Sequence, residues 1–340
     1  MAAPPRLLFL GSGLHNASWR FRIAQYLPHL RERGLAVVGG ELHCAWPDRL
    51  RLLRSAGGYD AVCIHRALLS PFELAWLRRA APRYAFDFDD AIMFRDSAAA
   101  RMRSPRRERR VRRMLRGAAA VLAGNGYLAE WARPHCSRVT VLPTTVDLAA
   151  YPAAPPADGP PVIGWIGTHS TLPYLAARLP ALTDLAARRP ETRLRVVSDG
   201  AIVGADLPLA NVPWSLAGEA DELRRFHVGI MPLPDDVWTR GKCAVKILQY
   251  FAAGLPVVCS PVGAARDIVE HGRNGFFASS DAEWVTHLEA LLADASLRQR
   301  MGAAGRALVE DRYSVQSGLP QLLDVLLDTN PALPRPDGHR

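Results

Sequence analysis

An alternation along almost the whole chain constrains the fold most strongly. Short apolar runs recur, and segments of helical periodicity separate them. In the first half the runs are Leu7–Leu10, Leu35–Val38, Ala61–Ile64, Tyr84–Phe88, Ala119–Ala123 and Val139–Leu142. Such runs, separated by amphipathic stretches, specify parallel strands with helices on both faces of the sheet. The stretch YPAAPPADGPP, from Tyr151 to Pro161, breaks the pattern and reads as a linker. The alternation then restarts, with strand candidates at Val162–Ile166, Leu194–Ser198, Val228–Met231 and Pro256–Cys259. Helices are expected near Leu172–Arg189, Glu219–Phe226, Ala244–Ala253, Ala282–Ala293, Leu297–Arg312 and Val315–Leu327.

The resulting class is α/β, with two Rossmann-like parallel-sheet domains facing each other across a cleft. Residues 1–150 make the first domain, 151–161 the linker and 162–312 the second domain. Residues 313–328 are expected as a helix packing back on the first domain, and 329–340 as a disordered tail. With 49% apolar residues the chain can bury two ordinary cores. No run of about 18 apolar residues is present, so no membrane-spanning helix is expected. The N-terminal MAAPPRLLFLGSG reads as a first strand rather than a signal peptide. Cys44, Cys63, Cys136, Cys243 and Cys259 are odd in number and lack zinc-ligand spacing. Reduced thiols in the cytoplasm are the expectation.

The formal charge is +9, and much of it lies in Arg101–Arg116, which holds nine arginines and one acid, Glu108. Three readings are open, in falling order. They are a solvated helix face, a peripheral contact with anionic lipid or an anionic acceptor, and nucleic-acid binding. The last is set aside because the segment interleaves no aromatics and no nucleic-acid motif accompanies it.

In open parallel sheets, ligands bind beyond the carboxyl ends of the strands. In the first half those positions hold Gly11-Ser12-Gly13, His65-Arg66, Asp89-Asp90, Gly124-Asn125 and Pro143-Thr144. The glycines either admit a ligand to the backbone or form an ordinary strand-to-helix turn. Asn16 stands where a dinucleotide fingerprint needs its third glycine, so NAD is not the expected ligand. His65-Arg66 is either a satisfied rim pair or functional. In the string DFDD, Phe86 and Phe88 should be buried together, with Asp87 and Asp89 on the other side and Asp90 starting a turn. A metal there is not expected. In the second half, Gly167-Thr168-His169 precedes a helix. It either binds phosphate at the helix N-terminus or caps it through Thr168 or Ser170.

The stretch RGKCAVKILQYFAAGLPVVC, Arg240–Cys259, is the richest in chemistry. Val245, Leu248 and Ala252 should pack inward, while Lys242, Lys246 and Gln249 line a polar face. Two cations and an amide beside a helix N-terminus suit a diphosphate joined to a hydroxylated sugar. A solvated face is the alternative.

Four strings carry a resemblance. VLPTTVDLAAYP is similar to the strand-to-linker signature of retaining family 4 glycosyltransferases, with Thr144-Thr145 where Asn-Gly is usual. VKILQYFAAGLPVVCSPVGAARDIVEHGRNGFF resembles their donor-site helix, strand and loop. DAEWVTHLEALLADASLRQRMGAAGRALVEDRYS resembles their C-terminal helices, and SWRFRIAQYLPHLRERG the first helix of a bacterial polysaccharide-associated subgroup. The resemblance implies the GT-B fold and transfer of a sugar from a nucleoside-diphosphate sugar to an acceptor hydroxyl, a saccharide or a lipid-linked saccharide. It implies that Arg240 or Lys242, together with Lys246, meets the donor diphosphate, with Gln249 at the ribose and Asp267 where the family has an acid. The family's Arg and Lys after the first strand of the second domain are missing, and Gly167 and Thr168 stay donor candidates from their place at that strand end.

The family glutamate that holds the ribose falls on Gln249, and its other glutamate on Gly241. Asp235 or Asp236 is the expected replacement for the latter. His65 falls near the histidine that contacts the transferred sugar. Gly11, Ser12, Gly13, Arg66 and Asp90 lie on the acceptor side. In this family the leaving phosphate is thought to take the acceptor proton, so no protein nucleophile, metal or cofactor is implied. Two rival readings are an epimerase or phosphorylase on the same fold, and a nucleotide-sugar-binding homologue that has lost its chemistry.

Overall fold

The computed structural model describes residues 4–14, 16–152 and 159–329. The proposed tail beyond residue 329 and most of the Tyr151–Pro161 linker lie outside them. The chain divides into two compact units.

The first unit opens with β1 (Arg6–Gly11), α1 (Ala17–Trp19), a π-helical turn, α2 (Tyr26–Glu32) and β2 (Ala36–Glu41). It continues with α3 (Trp46–Ser55), β3 (Ala61–His65), α4 (Pro71–Ala80) and β4 (Ala85–Phe88). Then come α5 (Pro105–Gly117), β5 (Ala120–Ala123), α6 (Gly126–Ala132) and β6 (Val139–Val141). All six strands are parallel, in the order β2-β1-β3-β4-β5-β6.

The second unit holds β7 (Val162–Gly167), α7 (Leu172–Ala176), α8 (Leu179–Arg188), β8 (Arg193–Ser198), β9 (Leu209–Pro213), α9 (Glu219–Leu223) and β10 (Val228–Met231). Next are α10 (Val245–Ala252), β11 (Val257–Cys259), α11 (Ala265–Ile268), β12 (Gly275–Phe277), α12 (Asp281–Ala293) and α13 (Ala295–Leu308). Its six parallel strands run β12-β11-β10-β7-β8-β9. The last helix, α14 (Val315–Asp328), belongs to the first unit. There Val315, Leu319, Leu322 and Leu326 share a core with Leu7, Phe9 and Tyr26.

All ten strand candidates have a counterpart, while β9 and β12 emerge only in the structure. Both are sheet edges. β9 is half-exposed and ends in Pro213, and β12 has three residues, so neither shows an apolar run. The single helix expected over Leu172–Arg189 is broken in two, and Pro180 starts α8 because it needs no amide donor there.

The unit boundaries depart from the linear ones: residues 146–150 and 313–314 belong to the second unit. Asp236–Cys243, inside the span assigned to the second domain, is part of the first unit. Val237, Trp238 and Cys243 pack into the core formed by α3, α4, α5 and α6. Among the described residues no helix is long and apolar enough to cross a membrane. All five cysteines are free.

Candidate functional site

In the first unit a connected polar network lies at the carboxyl ends of β3 and β4. Its base is Arg22, which is 1% exposed and pairs with the equally buried Asp87. The Arg22 guanidinium also donates to the Leu142 carbonyl. Asp87 Oδ2 receives His65 Nδ1 at 2.6 Å. Burial alone would raise the Asp87 carboxyl, but the Arg22 charge and the His65 hydrogen bond outweigh it and hold it at about 2. Burial also opposes ionisation of Asp89, and Arg66, His65 and Arg22 again lower it. Ser18 Oγ sits 2.7 Å from both Asp89 oxygens and 2.8 Å from His65 Nε2. An ionised carboxylate only accepts, so the one Ser18 proton goes to Asp89. His65 Nε2 faces the same Ser18 oxygen, so both ring nitrogens have protein partners.

The network continues outward. Arg66 bridges Asp89 at 3.3 Å and Asp90 at 3.0 Å, and Asp90 receives Lys242 Nζ at 3.0 Å. Arg66 holds φ at 55°, a left-handed conformation that costs a non-glycine residue free energy, and its two carboxylate partners hold it there. As read from the sequence, Phe86 and Phe88 are buried together on one side. The aspartates prove to be ion-pair partners rather than loop polarity.

The pH dependence follows from the sign of the Asp87 effect. Its carboxyl is lowered from 3.8 in the unfolded chain to about 2, so it stabilises the fold at pH above 3.8. That stabilisation, about 2 kcal/mol, is lost as pH falls through 2. Acid unfolding of Asp87→Asn should lack this component. An unchanged acid transition would contradict the assignment.

His65, the expected sugar contact, is 1% exposed, with its ring nitrogens facing Asp87 and Ser18. A side chain at Gly11 would meet the Trp19 ring at 2.5 Å, so the glycine makes room for Trp19. Gly13 lies against Asn16, which caps α1 through the Trp19 amide at 2.7 Å. Ser12 is half-buried beside them.

The loop Asp236–Cys243 is fixed to the first unit by several ties. Asn125 Nδ2 donates to the carbonyls of Arg240 and Lys242, both at 3.2 Å, and Tyr127 donates to Val237 O at 3.1 Å. Cys243 donates to Asp89 O at 3.0 Å. Lys242 therefore lies on Asp90 and over the Trp238 ring, and it is not part of the α10 face where the sequence placed it. Arg240 is exposed on the same loop.

Asp236, a catalytic candidate, caps this loop. Its Oδ1 accepts from the amides of Trp238 and Thr239, both at 2.8 Å. Gly241, where the resemblance puts a glutamate, leaves no room for a side chain. A Cβ there would stand 2.6 Å from Ala91 N and 2.7 Å from its Cβ. Gly241→Glu, which would restore the acid, should cost about 1–3 kcal/mol in urea unfolding through overpacking. Unaltered stability would show that the loop can lift away at no cost.

The second unit carries the donor-type features. Lys246 stands in the first turn of α10, with its Nζ 5.0 Å from the Trp165 ring centre and 3.5 Å from Thr171 Oγ1. Its stem crosses Gly167, where a Cβ would meet Lys246 Cε at 2.8 Å. The end of β7, the turn after it and the start of α10 thus meet around one ammonium. No side chain caps α10, and Ala244 at its N-cap holds φ at 54°. An uncapped helix start beside a lysine favours an anion. Thr168 Oγ1 pairs with Ser170 Oγ at 2.9 Å, and His169 with Asp199 at 2.8 Å, so that turn has its own local partners.

Gln249 is 3% exposed rather than on an open polar face. Tyr151 donates its one proton to Glu219 at 2.5 Å, and Trp214 donates to the other Glu219 oxygen at 2.8 Å. The Tyr151 oxygen must then accept from Gln249 Nε2, at 3.2 Å. This fixes the amide orientation and leaves its oxygen as acceptor. A glutamate at 249 would set a second carboxylate against a hydroxyl already given to Glu219, which accounts for the glutamine. Asp267 is exposed on α11, apart from this cluster, and Tyr313 donates to its backbone carbonyl at 3.4 Å. Among the described residues no group of three or more His, Cys, Asp or Glu could hold a metal ion.

Solved structures share this architecture end to end. The Anabaena HepE complex with UDP and glucose superposes with a TM-score of 0.67 at 14% identity, covering 95% of this chain and 99% of that one. Sucrose-phosphate synthase from Thermosynechococcus elongatus gives 0.71 at 15% identity, covering 94% and 98%. The fold is GT-B.

A family model described as glycosyl transferases group 1 matches residues 160–294 of this GT-B chain, less than half of it. The sulfoquinovosyl transferase SQD2 of Arabidopsis thaliana is 30% identical over 159 residues. That stretch covers 44% of this chain and 29% of the plant protein. The family match spans β7, α10 and β12, so it includes both Lys246 and Gln249.

Proposed function

We propose that this GT-B protein is a retaining glycosyltransferase of the family 4 type. It moves a sugar from a nucleoside-diphosphate sugar to a hydroxyl of a saccharide or lipid-linked saccharide. The observation that carries this reading is the convergence of Lys246, the uncapped start of α10 and the Gly167 turn. A departing diphosphate gains charge as the glycosidic bond breaks. A fixed ammonium and helix-end amides stabilise that charge more than they stabilise the bound donor. Gln249, whose amide Tyr151 orients, is the residue proposed to hold the ribose. The leaving phosphate takes the acceptor proton, so the reaction needs no protein nucleophile and turnover should persist with a chelator present. The UDP bound to Anabaena HepE makes uridine the first base to try.

The experiment is donor turnover with a panel of nucleoside-diphosphate sugars, followed as released nucleoside diphosphate. A transferase releases it much faster when an acceptor is added, and NMR of the product should show the donor's anomeric configuration. Release that is indifferent to acceptor would favour the epimerase or phosphorylase reading. Binding without release would favour the impaired homologue.

A further inference from the structure

The arginine segment separates into two sets once folded. Arg107 donates to the Phe94 carbonyl at 2.8 Å, and Arg110 donates to that of Leu68. Those two tie α5 to neighbouring backbone and do not line the cavity. Arg109, Arg112, Arg113 and Arg116 instead converge with Arg78 of α4 on a cavity of about 430 Å³. Leu74 and Gly117 complete its wall, and no carboxylate lines it. Arg112 is paired, with Glu108 at 2.8 Å. Among the described residues the other four have no acidic partner.

The cavity lies at the opposite end of the sheet from the His65–Asp89 network. That network follows β3 and β4, whereas Gly117 precedes β5 and lies against Tyr84, which precedes β4. The ends of α4 and α5 nearby supply about half a negative charge each, so five guanidiniums leave a large positive surplus. The field reaches the turn after α6, where burial and then Arg116 and Arg112 hold the His135 imidazole below its ordinary value.

We propose that the α4–α5 cavity is a binding site for a compact ligand with adjacent phosphate groups, separate from the proposed transfer site. Planar guanidiniums converging from two helices on one concave site fit phosphate oxygens in pairs. A solvated basic face would need neither the cavity nor the convergence. The same chemistry occurs in soluble oligophosphates and in anionic phospholipid headgroups, and the test distinguishes them.

Tripolyphosphate is titrated calorimetrically into the full chain. Arg109→Gln/Arg113→Gln should weaken binding at least tenfold, and Arg78→Gln, on the other helix, should also weaken it. Arg101→Gln/Arg106→Gln removes the same charge outside the cavity and should change affinity less than threefold. Melting temperatures without ligand report whether each variant folds. Retention on phosphatidylglycerol but not phosphatidylcholine vesicles, displaced by tripolyphosphate and lost in Arg109→Gln/Arg113→Gln, assigns the headgroup as the source. Tripolyphosphate binding without vesicle retention assigns a soluble ligand. Equal weakening in both double variants would overturn the site in favour of diffuse charge, as would failure of both probes to bind.

Discussion

Arg22→Met is expected to remove about 3–5 kcal/mol of stability from the first unit, the largest folding effect of any single substitution considered. Methionine keeps most of the side-chain volume but leaves Asp87 as a buried carboxylate without its counter-charge, in contact with His65 alone. It also leaves the Leu142 carbonyl without its guanidinium donor. Urea unfolding at neutral pH measures the loss. Arg22→Met/Asp87→Asn should recover much of it, because the unbalanced charge is gone. A double variant as unstable as the single one would show that packing around Arg22, and not charge balance, sets the cost.

Lys246→Ala is expected to lower kcat/KM for donor turnover by about 10²–10³-fold, the range typical for deleting one preorganised group that stabilises developing charge. Folding should change little, since Lys246 is half-buried with its ammonium near Trp165 and Thr171. Lys242→Ala should have a much smaller direct effect on the diphosphate, because Lys242 is engaged with Asp90. Near-normal turnover by Lys246→Ala would remove its phosphate role, and equal losses for both lysines would contradict the separation between them.

The sheets were legible because each central strand is a short apolar run between helical periods. The edges were not, because β9 and β12 gain their structure from a neighbouring strand rather than from a buried face of their own. The candidate site was legible at Lys246 and Gly167, because one stands in the first turn of a patterned helix and the other at the end of a patterned strand. It was not legible where partners are distant in sequence. Arg22 lies three residues from Trp19 and four from Tyr26, on the buried side of an amphipathic stretch, and its partner is 65 residues away. A charge on an apolar face was the available signal, and the DFDD string was its counterpart. The allegiance of Asp236–Cys243 had a similar signal in Val237, Trp238 and Cys243, apolar residues in an otherwise polar loop. Gln249 looked exposed because the helical wheel does not show Tyr151 and Glu219, brought in from 98 and 30 residues away.

Binding of nucleotide by the full chain tests the central claim most directly. The measurement is the melting temperature of wild type and Lys246→Ala with uridine and other nucleoside diphosphates, and with their sugars. At 100 times its dissociation constant the right ligand stabilises the native state by about 2.7 kcal/mol, a readily measured shift. The account predicts a shift with one nucleoside diphosphate, a larger one with one of its sugars, and the loss of both in Lys246→Ala. No shift with any of them, or an equal shift in the variant, would contradict it.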